Sequence, residues 1–366
     1  MHTTELTQPK SLNVFEEAAQ MGHEQIVYCH DEHTGLKAII GIHDTTLGPA
    51  LGGTRFWHYE SEQEALVDVM RLSRGMTFKS AISGMNLGGG KAVIIGDARK
   101  LKNEMLLRRF GKFVESLSGK YVTAEDVNMS PQDMEYISME TKHCCGLPEY
   151  LGGGGNPSPV TAYGVYVGMK SAAKHAFGSE SLEGKKVAVQ GAGSVATYLI
   201  EHLVKEKAQV YVSDIDEAKL AHVSKEYGAT VVGLDEIYET DAEIYAPCAL
   251  GATVNDETIE KLNCAVIAGG ANNQLLDEAK HGRILREKGI VYAPDFLINA
   301  GGVIKVGIDY LDSFNMDRVM AMTDRIYDTC SSILKQADEE NIPTQEAAIR
   351  AAMKRINDAK ALKASF

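Results

Sequence analysis

The sequence predicts a two-domain α/β protein whose second domain is a doubly wound parallel sheet. Three observations carry this reading. The chain has 366 residues, 44% hydrophobic and 24% charged, which suits two cores of ordinary globular composition. From residue 186 onward, short apolar runs alternate with amphipathic helical stretches, the rhythm of parallel strands linked by crossover helices. The stretch Gly152-Gly-Gly-Gly-Asn-Pro-Ser-Pro159 separates that rhythm from an irregular first part and is a natural hinge or boundary. The domains expected are therefore 1–150 and 151–340.

Taken in order, residues 1–13 read as a loose arm leading into a first helix. Gln25 to Cys29 and Lys37 to His43 are apolar runs on either side of the turn residues Asp31-Glu-His-Thr-Gly35, which reads as a β-hairpin. Ser61 to Gly75 places Ala65, Leu66, Val69 and Leu72 on one helical face. Ala92 to Ile95 is a short buried-type strand and Leu101 to Leu117 an amphipathic helix. Tyr121 to Thr123 is a strand running into Ala124-Glu125-Asp126, and Ser130 to Thr141 is helical. Ser158 followed by Pro159 opens a helix to about Phe177, with Ser as the cap and Pro in the first turn. Strands follow at Lys186 to Gln190, Gln209 to Ser213, Thr230 to Val232, Glu243 to Ala246, Ala265 to Ala268 and Ile290 to Tyr292. Helices at Ser194 to Glu206 and Glu217 to Tyr227 separate the first of them. Asp317 to Glu339 and Thr344 to Ala361 are two long terminal helices.

Composition narrows the function classes. The formal net charge is -13, whereas a phosphate-binding surface wants clustered positive charge, so no nucleic-acid partner is expected. No apolar run approaches the length of a membrane span, and Met1 to Lys10 lacks the apolar core of a signal peptide, so a cytoplasmic protein is expected. The six cysteines form no Cys-x-x-Cys pair. Cys144 and Cys145 beside His143 are read as buried, reduced thiols rather than a metal site, and no metal is expected.

The strand at Lys186 to Gln190 runs into Gly191-Ala-Gly193-Ser194-Val195-Ala196 and then a helix, the G-x-G-x-x-A form of the dinucleotide fingerprint. Gly191 permits the tight turn, Gly193 lets the pyrophosphate approach the backbone, and Ala196 allows close helix–sheet packing. A second strand ends at Asp214, 23 residues after Gly191. An acid there suits the ribose hydroxyls of NAD and repels the 2′-phosphate of NADP, so the cofactor expected is NAD.

Gly88-Gly-Gly-Lys91 fails as a phosphate loop, since Met85 stands at its first Gly position and Ala92 follows the Lys. Its glycines must instead let a chain segment or a ligand approach the backbone. Lys91 opens an apolar strand, and Lys79 lies 12 residues earlier among Met76, Phe78 and Ile82. Two lysines at one partly buried site lower each other's pKa and make one a candidate general base, and Asp126 follows a strand, which suits a strand end facing a cleft. From spacing alone, the same residues also read as two surface lysines and a helix-capping aspartate. Arg55, Arg71 and Arg74 read as surface or interdomain charges.

Six segments in one order now become informative together: Gly48-Pro-Ala-Leu-Gly-Gly-Thr-Arg55, Gly84-Met-Asn-Leu-Gly-Gly-Gly-Lys91, Thr123-Ala-Glu-Asp126, Asn156-Pro-Ser-Pro159, Ala246-Pro-Cys-Ala-Leu250 and Asn299-Ala-Gly-Gly-Val303. The chain resembles the glutamate, leucine, valine and phenylalanine dehydrogenases from about Glu24 to Ile356. The resemblance implies an N-terminal substrate and oligomerisation domain, a Rossmann domain, and a C-terminal helix (341–366) packing back towards the first domain, with a cleft that closes on substrate. It implies that Lys79 binds the substrate α-carboxylate, Lys91 activates water and Asp126 shuttles protons at the amino nitrogen. Gly52 and Gly53 would line the pocket, and Asn273 and Asn299 would lie near the nicotinamide. It also implies a homo-oligomer, often an octamer.

Glutamate-specific members of the family carry a Lys where this chain has Leu51. A buried carboxylate without a partner is costly, so an apolar substrate is expected. Leu51, Ala124, Val303 and Val306 match pocket positions of the leucine-type members. The implied reaction is oxidative deamination of leucine, valine or isoleucine to a 2-oxo acid and ammonia. A phenylalanine-type specificity and a catalytically silent NAD-binding protein are the alternatives; a 2-hydroxy-acid enzyme would want a His base, and no His stands in such a motif. The chain departs from many relatives at Val127-Asn-Met-Ser130, where Gly and Thr are common, at Lys305, where Asn is usual, and at Gly307-Ile-Asp309.

Overall fold

The computed structural model describes residues 14–311 and 314–364; the arm expected over residues 1–13 lies outside the described residues. They divide into two compact units. The first holds the described residues to Thr45, Pro49–Thr77 and Gly88–His143, and the second holds Thr46–Gly48, Phe78–Leu87 and the chain from Cys144.

The first unit contains α1 (Val14–Met21), β1 (Gln25–Asp31), β2 (Leu36–Asp44), β3 (Ala50–Trp57), most of α2 (Glu62–Ile82), β4 (Gly88–Ile95), α3 (Ala98–Leu101), α4 (Glu104–Ser116), β5 (Tyr121–Glu125) and α5 (Pro131–Ser138). Its five-stranded sheet has the order β1-β2-β4-β3-β5. β1 and β2 form the expected hairpin; β3 is parallel to both β4 and β5. The sequence pattern missed β3, because two glycines at its middle and a polar Thr-Arg pair erase any apolar alternation. The helix expected to end at Gly75 continues to Ile82. The helix expected over Leu101 to Leu117 is α4 and starts later, because Asn103 caps it by accepting the Leu106 N–H at 3.0 Å; the short α3 precedes it. Ile39, Leu66, Val69, Met70 and Val93 close the core between the sheet and α2.

The second unit is a doubly wound α/β domain. It contains α6 (Ser158–Phe177), β6 (Lys186–Gln190), α7 (Ser194–Lys205), β7 (Gln209–Ser213), α8 (Glu217–Tyr227), β8 (Thr230–Val231), α9 (Glu236–Glu239), β9 (Ile244–Pro247), α10 (Asp256–Lys261), β10 (Val266–Ile267), α11 (Glu278–Glu287), β11 (Val291–Tyr292), α12 (Asp295–Ile298), α13 (Gly301–Leu311), α14 (Met316–Glu340) and α15 (Thr344–Ala364). Six parallel strands lie in the order β11-β10-β9-β6-β7-β8. The order reverses between β6 and β9, so the crevice for a ligand lies at the carboxyl ends of those two strands. Among the described residues no helix is long and apolar enough to cross a membrane.

Two details depart from the sequence reading. Ser158 is the first residue of α6 and not its cap; Asn156 accepts its N–H at 2.9 Å. Pro157 already has helical torsions (φ -79°, ψ -12°), which moves the helix start upstream. The segment Phe78–Leu87, within the first 150 residues, belongs to the second unit. There α15 packs Ala352 and Ile356 on Phe78 and Ala81. Arg355 caps the C-terminal turn of α2, donating to the carbonyls of Ala81 (2.9 Å) and Met85 (2.8 Å) and to Asn86 Oδ1 (2.8 Å). A cation suits the negative end of a helix dipole.

Candidate active site

In the first unit, strand register alone gathers a constellation. Residues paired across parallel strands point to one face, as do residues two apart on a strand. Arg55 pairs with Val93 and Gly53 with Ala124. Gly53, Arg55, Lys91 and Ala124 therefore share a face, and Asp126 follows two residues beyond Ala124. Lys91 is almost fully buried, and its Nζ lies 2.8 Å from Asp126 Oδ2. Arg55 Nε donates to the same oxygen at 3.2 Å. The Arg55 guanidinium also donates to Asp68 Oδ2 at 3.0 Å, and the Tyr59 hydroxyl donates to that oxygen at 2.6 Å. Burial pushes the Asp126 carboxyl up, but Lys91 and Arg55 outweigh it and hold Asp126 below the usual carboxylate range.

The glycines make this possible. A Cβ on Gly52 would stand 1.7 Å from the Gly90 carbonyl oxygen, and one on Gly53 would stand 2.8 Å from the Asp126 Cβ. A Cβ on Gly89 would stand 2.1 Å from the Thr77 backbone nitrogen. Gly88-Gly-Gly thus lets α2 sit against β4, which resolves the choice between a chain segment and a ligand. The Tyr121 hydroxyl donates to the Gly52 carbonyl at 2.7 Å and fixes that strand.

In the second unit, the loop after β6 has the geometry that the fingerprint requires. Gly191 has φ +107°, a left-handed conformation that favours glycine. Gly193 precedes α7 with ordinary torsions, no side chain among the described residues caps that helix, and a Cβ there would meet nothing within 4 Å. Open space over an uncapped 12-residue helix start fits a pyrophosphate. Asp214 Oδ2 accepts the Ala192 N–H at 2.6 Å and Oδ1 the Asp216 N–H at 2.9 Å. Each oxygen keeps a second lone pair for a ribose hydroxyl. Ala196 is buried, Val195 half-buried and Ser194 exposed. These residues fit a nicotinamide dinucleotide.

Lys79, half-buried in the last turns of α2, donates to Asn272 Oδ1 at 2.8 Å. Asn299 donates to the same oxygen at 2.9 Å and to the Gly270 carbonyl at 3.2 Å. Asn273, expected near the nicotinamide, is exposed at φ +52°. Its neighbour Asn272, which sequence reasoning did not single out, is the residue linked to Lys79.

Three further expectations change. Asp126 does not cap a helix, and Lys91 is not a surface lysine. Arg55 is not a surface or interdomain charge but part of the Asp126 network; the signal for it lay in strand parity once β3 is recognised. Leu51 exposes no surface, Ala124 is 7% exposed, and Val303 and Val306 are half-buried on α13. The departures also find reasons. Asn128 has φ +59°, where Gly is favoured and Asn tolerated, and its amide donates to the Phe56 carbonyl at 3.0 Å. Lys305 is buried, donates to the Asn156 carbonyl at 2.7 Å, and its amine pKa is lowered by that burial. Cys144 and Cys145 are buried thiols, and burial pushes Cys144 up to about 12.

Comparison with known proteins agrees across both units. Residues 23–143 match the Glu/Leu/Phe/Val dehydrogenase dimerisation domain. Residues 152–218 and 205–363 match the Glutamate/Leucine/Phenylalanine/Valine dehydrogenase family. A leucine dehydrogenase of Geobacillus stearothermophilus is 52% identical over 355 residues, covering 97% of this chain and 96% of that protein. A phenylalanine dehydrogenase of Bacillus thermotolerans is 48% identical over 352 residues, covering 95% and 91%. The crystal structure of L-tryptophan dehydrogenase from Nostoc punctiforme superposes with a TM-score of 0.82 at 45% identity, covering 95% of this chain and 99% of that one.

Proposed function

The chain belongs to the Glu/Leu/Phe/Val dehydrogenase family and is an amino-acid dehydrogenase, and on that footing we propose that it catalyses the reversible, NAD-dependent oxidative deamination of L-leucine and the other branched-chain L-amino acids. The products are the 2-oxo acid and ammonia. The observation that carries the reading is the ion pair between the buried Lys91 and the half-buried Asp126, set in the motif context of a chain 52% identical to a leucine dehydrogenase.

The roles follow from the chemistry of the groups. Lys79 supplies a cation for the substrate α-carboxylate, steadied by Asn272. Asp126, held as a carboxylate by Lys91 and Arg55, accepts a proton from the substrate amine and later returns one to the departing nitrogen. Lys91, which first releases its own ammonium proton to solvent, takes a proton from water as it attacks the imino carbon. When bound, NAD would supply the acceptor for the hydride from Cα. The chain's residues therefore bind the acid group and move protons, which is the protein's share in a cofactor enzyme. Gly191, Gly193, Ser194 and Val195 would hold the pyrophosphate at the start of the helix that Ala196 seats on the sheet, Asp214 would take the adenosine ribose, and Asn273 and Asn299 would line the nicotinamide end. Asp214 favours NAD over NADP by charge repulsion with a 2′-phosphate.

Leu51 in place of a lysine leaves a substrate γ-carboxylate without a partner, which disfavours glutamate. Leu51, Gly52, Gly53 and Ala124 of the first unit, and Val303 and Val306 of the second, are the residues we assign to contact with a branched aliphatic side chain. The phenylalanine-type relative keeps a second specificity in view. We assign residues 1–150 to substrate binding and homo-oligomer formation in a cytoplasmic enzyme. NADH absorbance with NAD or NADP and leucine, valine, phenylalanine or glutamate tests the reading. Strong NAD-linked turnover of the branched-chain substrates is expected. A phenylalanine preference overturns the pocket argument, and no turnover by protein that binds NADH overturns the roles of Lys91 and Asp126.

A further inference from the structure

Arg55 is the one cation of the Asp126 network that carries no proton in the proposed chemistry. Its guanidinium is half-buried and forked: Nε reaches Asp126 Oδ2 at 3.2 Å and Nη1 reaches Asp68 Oδ2 at 3.0 Å. Asp68 is fixed in turn by the Tyr59 hydroxyl at 2.6 Å. Lys91 also approaches Asp126 on Oδ2, at 2.8 Å. Both cations thus hold one oxygen of the carboxylate, and no described residue is bonded to Oδ1.

We propose that Arg55 is a positioning residue: anchored by Asp68 and Tyr59, it turns the Asp126 carboxylate so that Oδ2 stays on the two cations and Oδ1 is left to exchange protons with the substrate nitrogen. A lone lysine is a rotatable point charge and would let either oxygen bind it, whereas a planar guanidinium bound at both ends fixes direction as well as charge. Asp68 supplies the second carboxylate that keeps the guanidinium from swinging away. The inference rests on the proton-carrying role of Asp126 given above.

The test uses the full chain and four variants, with NADH binding as the check of folding. Arg55→Met is expected to lower kcat at least about tenfold, because the proton carrier is no longer aligned. KM for leucine should change less than about threefold, since uniform binding is untouched. The acid limb of its kcat/KM profile should move upward by about one pH unit, because one of two cations holding Asp126 low is gone. Arg55→Lys should restore the limb but only part of kcat. Asp68→Asn keeps the guanidinium but frees it, so kcat should fall with no upward move of the limb. Loss of activity in Arg55→Met that is uniform across pH, or no loss at all, overturns the proposal. If Arg55→Met does not bind NADH, wild-type kcat in both Arg55→Lys and Asp68→Asn overturns it instead. Asp126→Asn separates the two readings: full activity there refutes the role of Asp126 itself, whereas an inactive Asp126→Asn beside an unaltered Arg55→Met refutes the role of Arg55 alone.

Discussion

Two glycine-rich segments in this chain look alike in sequence and do opposite things. In Gly88-Gly-Gly-Lys91, the space where side chains would stand is already filled by protein: a Cβ on Gly89 would overlap Thr77, and one on Gly90 would lie 2.7 Å from the Tyr121 ring. In Gly191-Ala-Gly193, the space above Gly193 holds no protein atom within 4 Å. The first segment uses glycine to seat a helix, and the working part we propose for it is a side chain, Lys91. The second uses glycine to leave room, and the working part we propose for it is bare backbone N–H. What would touch the missing Cβ, and not the glycine count, separates a packing motif from a binding motif.

The largest expected effect lies in the packed segment. Gly89→Ala forces a Cβ into the α2 backbone and should cost about 3 kcal/mol or more, read as a lower urea midpoint or insoluble protein. A variant as stable as wild type would break the comparison, since the space would then be free. Lys91→Ala removes the side chain that this segment delivers. It should keep the fold and lose at least about 100-fold in kcat, the lower range for a general base. Full activity would remove Lys91 from the mechanism.

Gly193→Ala sharpens the contrast from the other side. The torsions at Gly193 (φ -71°, ψ -177°) suit any residue, so stability should stay within about 0.5 kcal/mol of wild type. The methyl should instead raise the Kd for NADH about tenfold or more, measured by fluorescence titration, because it occupies the pyrophosphate's approach. An unaltered Kd would mean that the open space is not the phosphate site.

The smallest effect at neutral pH concerns the support of the helix seat. Thr77, which Gly89 accommodates, bonds His43 Nδ1 at 2.8 Å, and the His43 ring meets the His23 ring at a centroid distance of 4.8 Å. Burial first, then the charge of His43, lowers His23 from 6.5 to about 4. Between those values the unfolded chain binds a proton that the folded chain does not, so stability falls as pH drops from about 6.5 towards 4. His23→Asn should flatten that slope, seen by comparing urea midpoints at pH 7 and pH 5. An unchanged slope would show that another group sets the acid sensitivity.

Much of the second unit was legible in the sequence. Its strands are short apolar runs separated by amphipathic helices, so local pattern and tertiary role coincide at Lys186–Gln190 and Gln209–Ser213. The fingerprint was legible for the same reason, since each of its residues answers to a local constraint. The first unit was less so. β3 carries the two glycines, Thr54 and Arg55, and no periodicity marks it. Losing that strand hid the parity that sets Arg55 beside Asp126.

The sequence by itself determined the fold class and the glycine turn after β6, and it singled out Asp214, Lys79, Lys91 and Asp126 as candidates. These follow from periodicity, from torsional demands on single residues and from ordered motifs. Only the tertiary structure decided which charges meet. It paired Lys91 with Asp126, added Arg55 and Asp68 to them, linked Lys79 to Asn272, and set Arg355 of α15 on the end of α2. Those contacts join residues far apart in the chain. Their partners are fixed by strand register and helix packing, which no local stretch of sequence encodes.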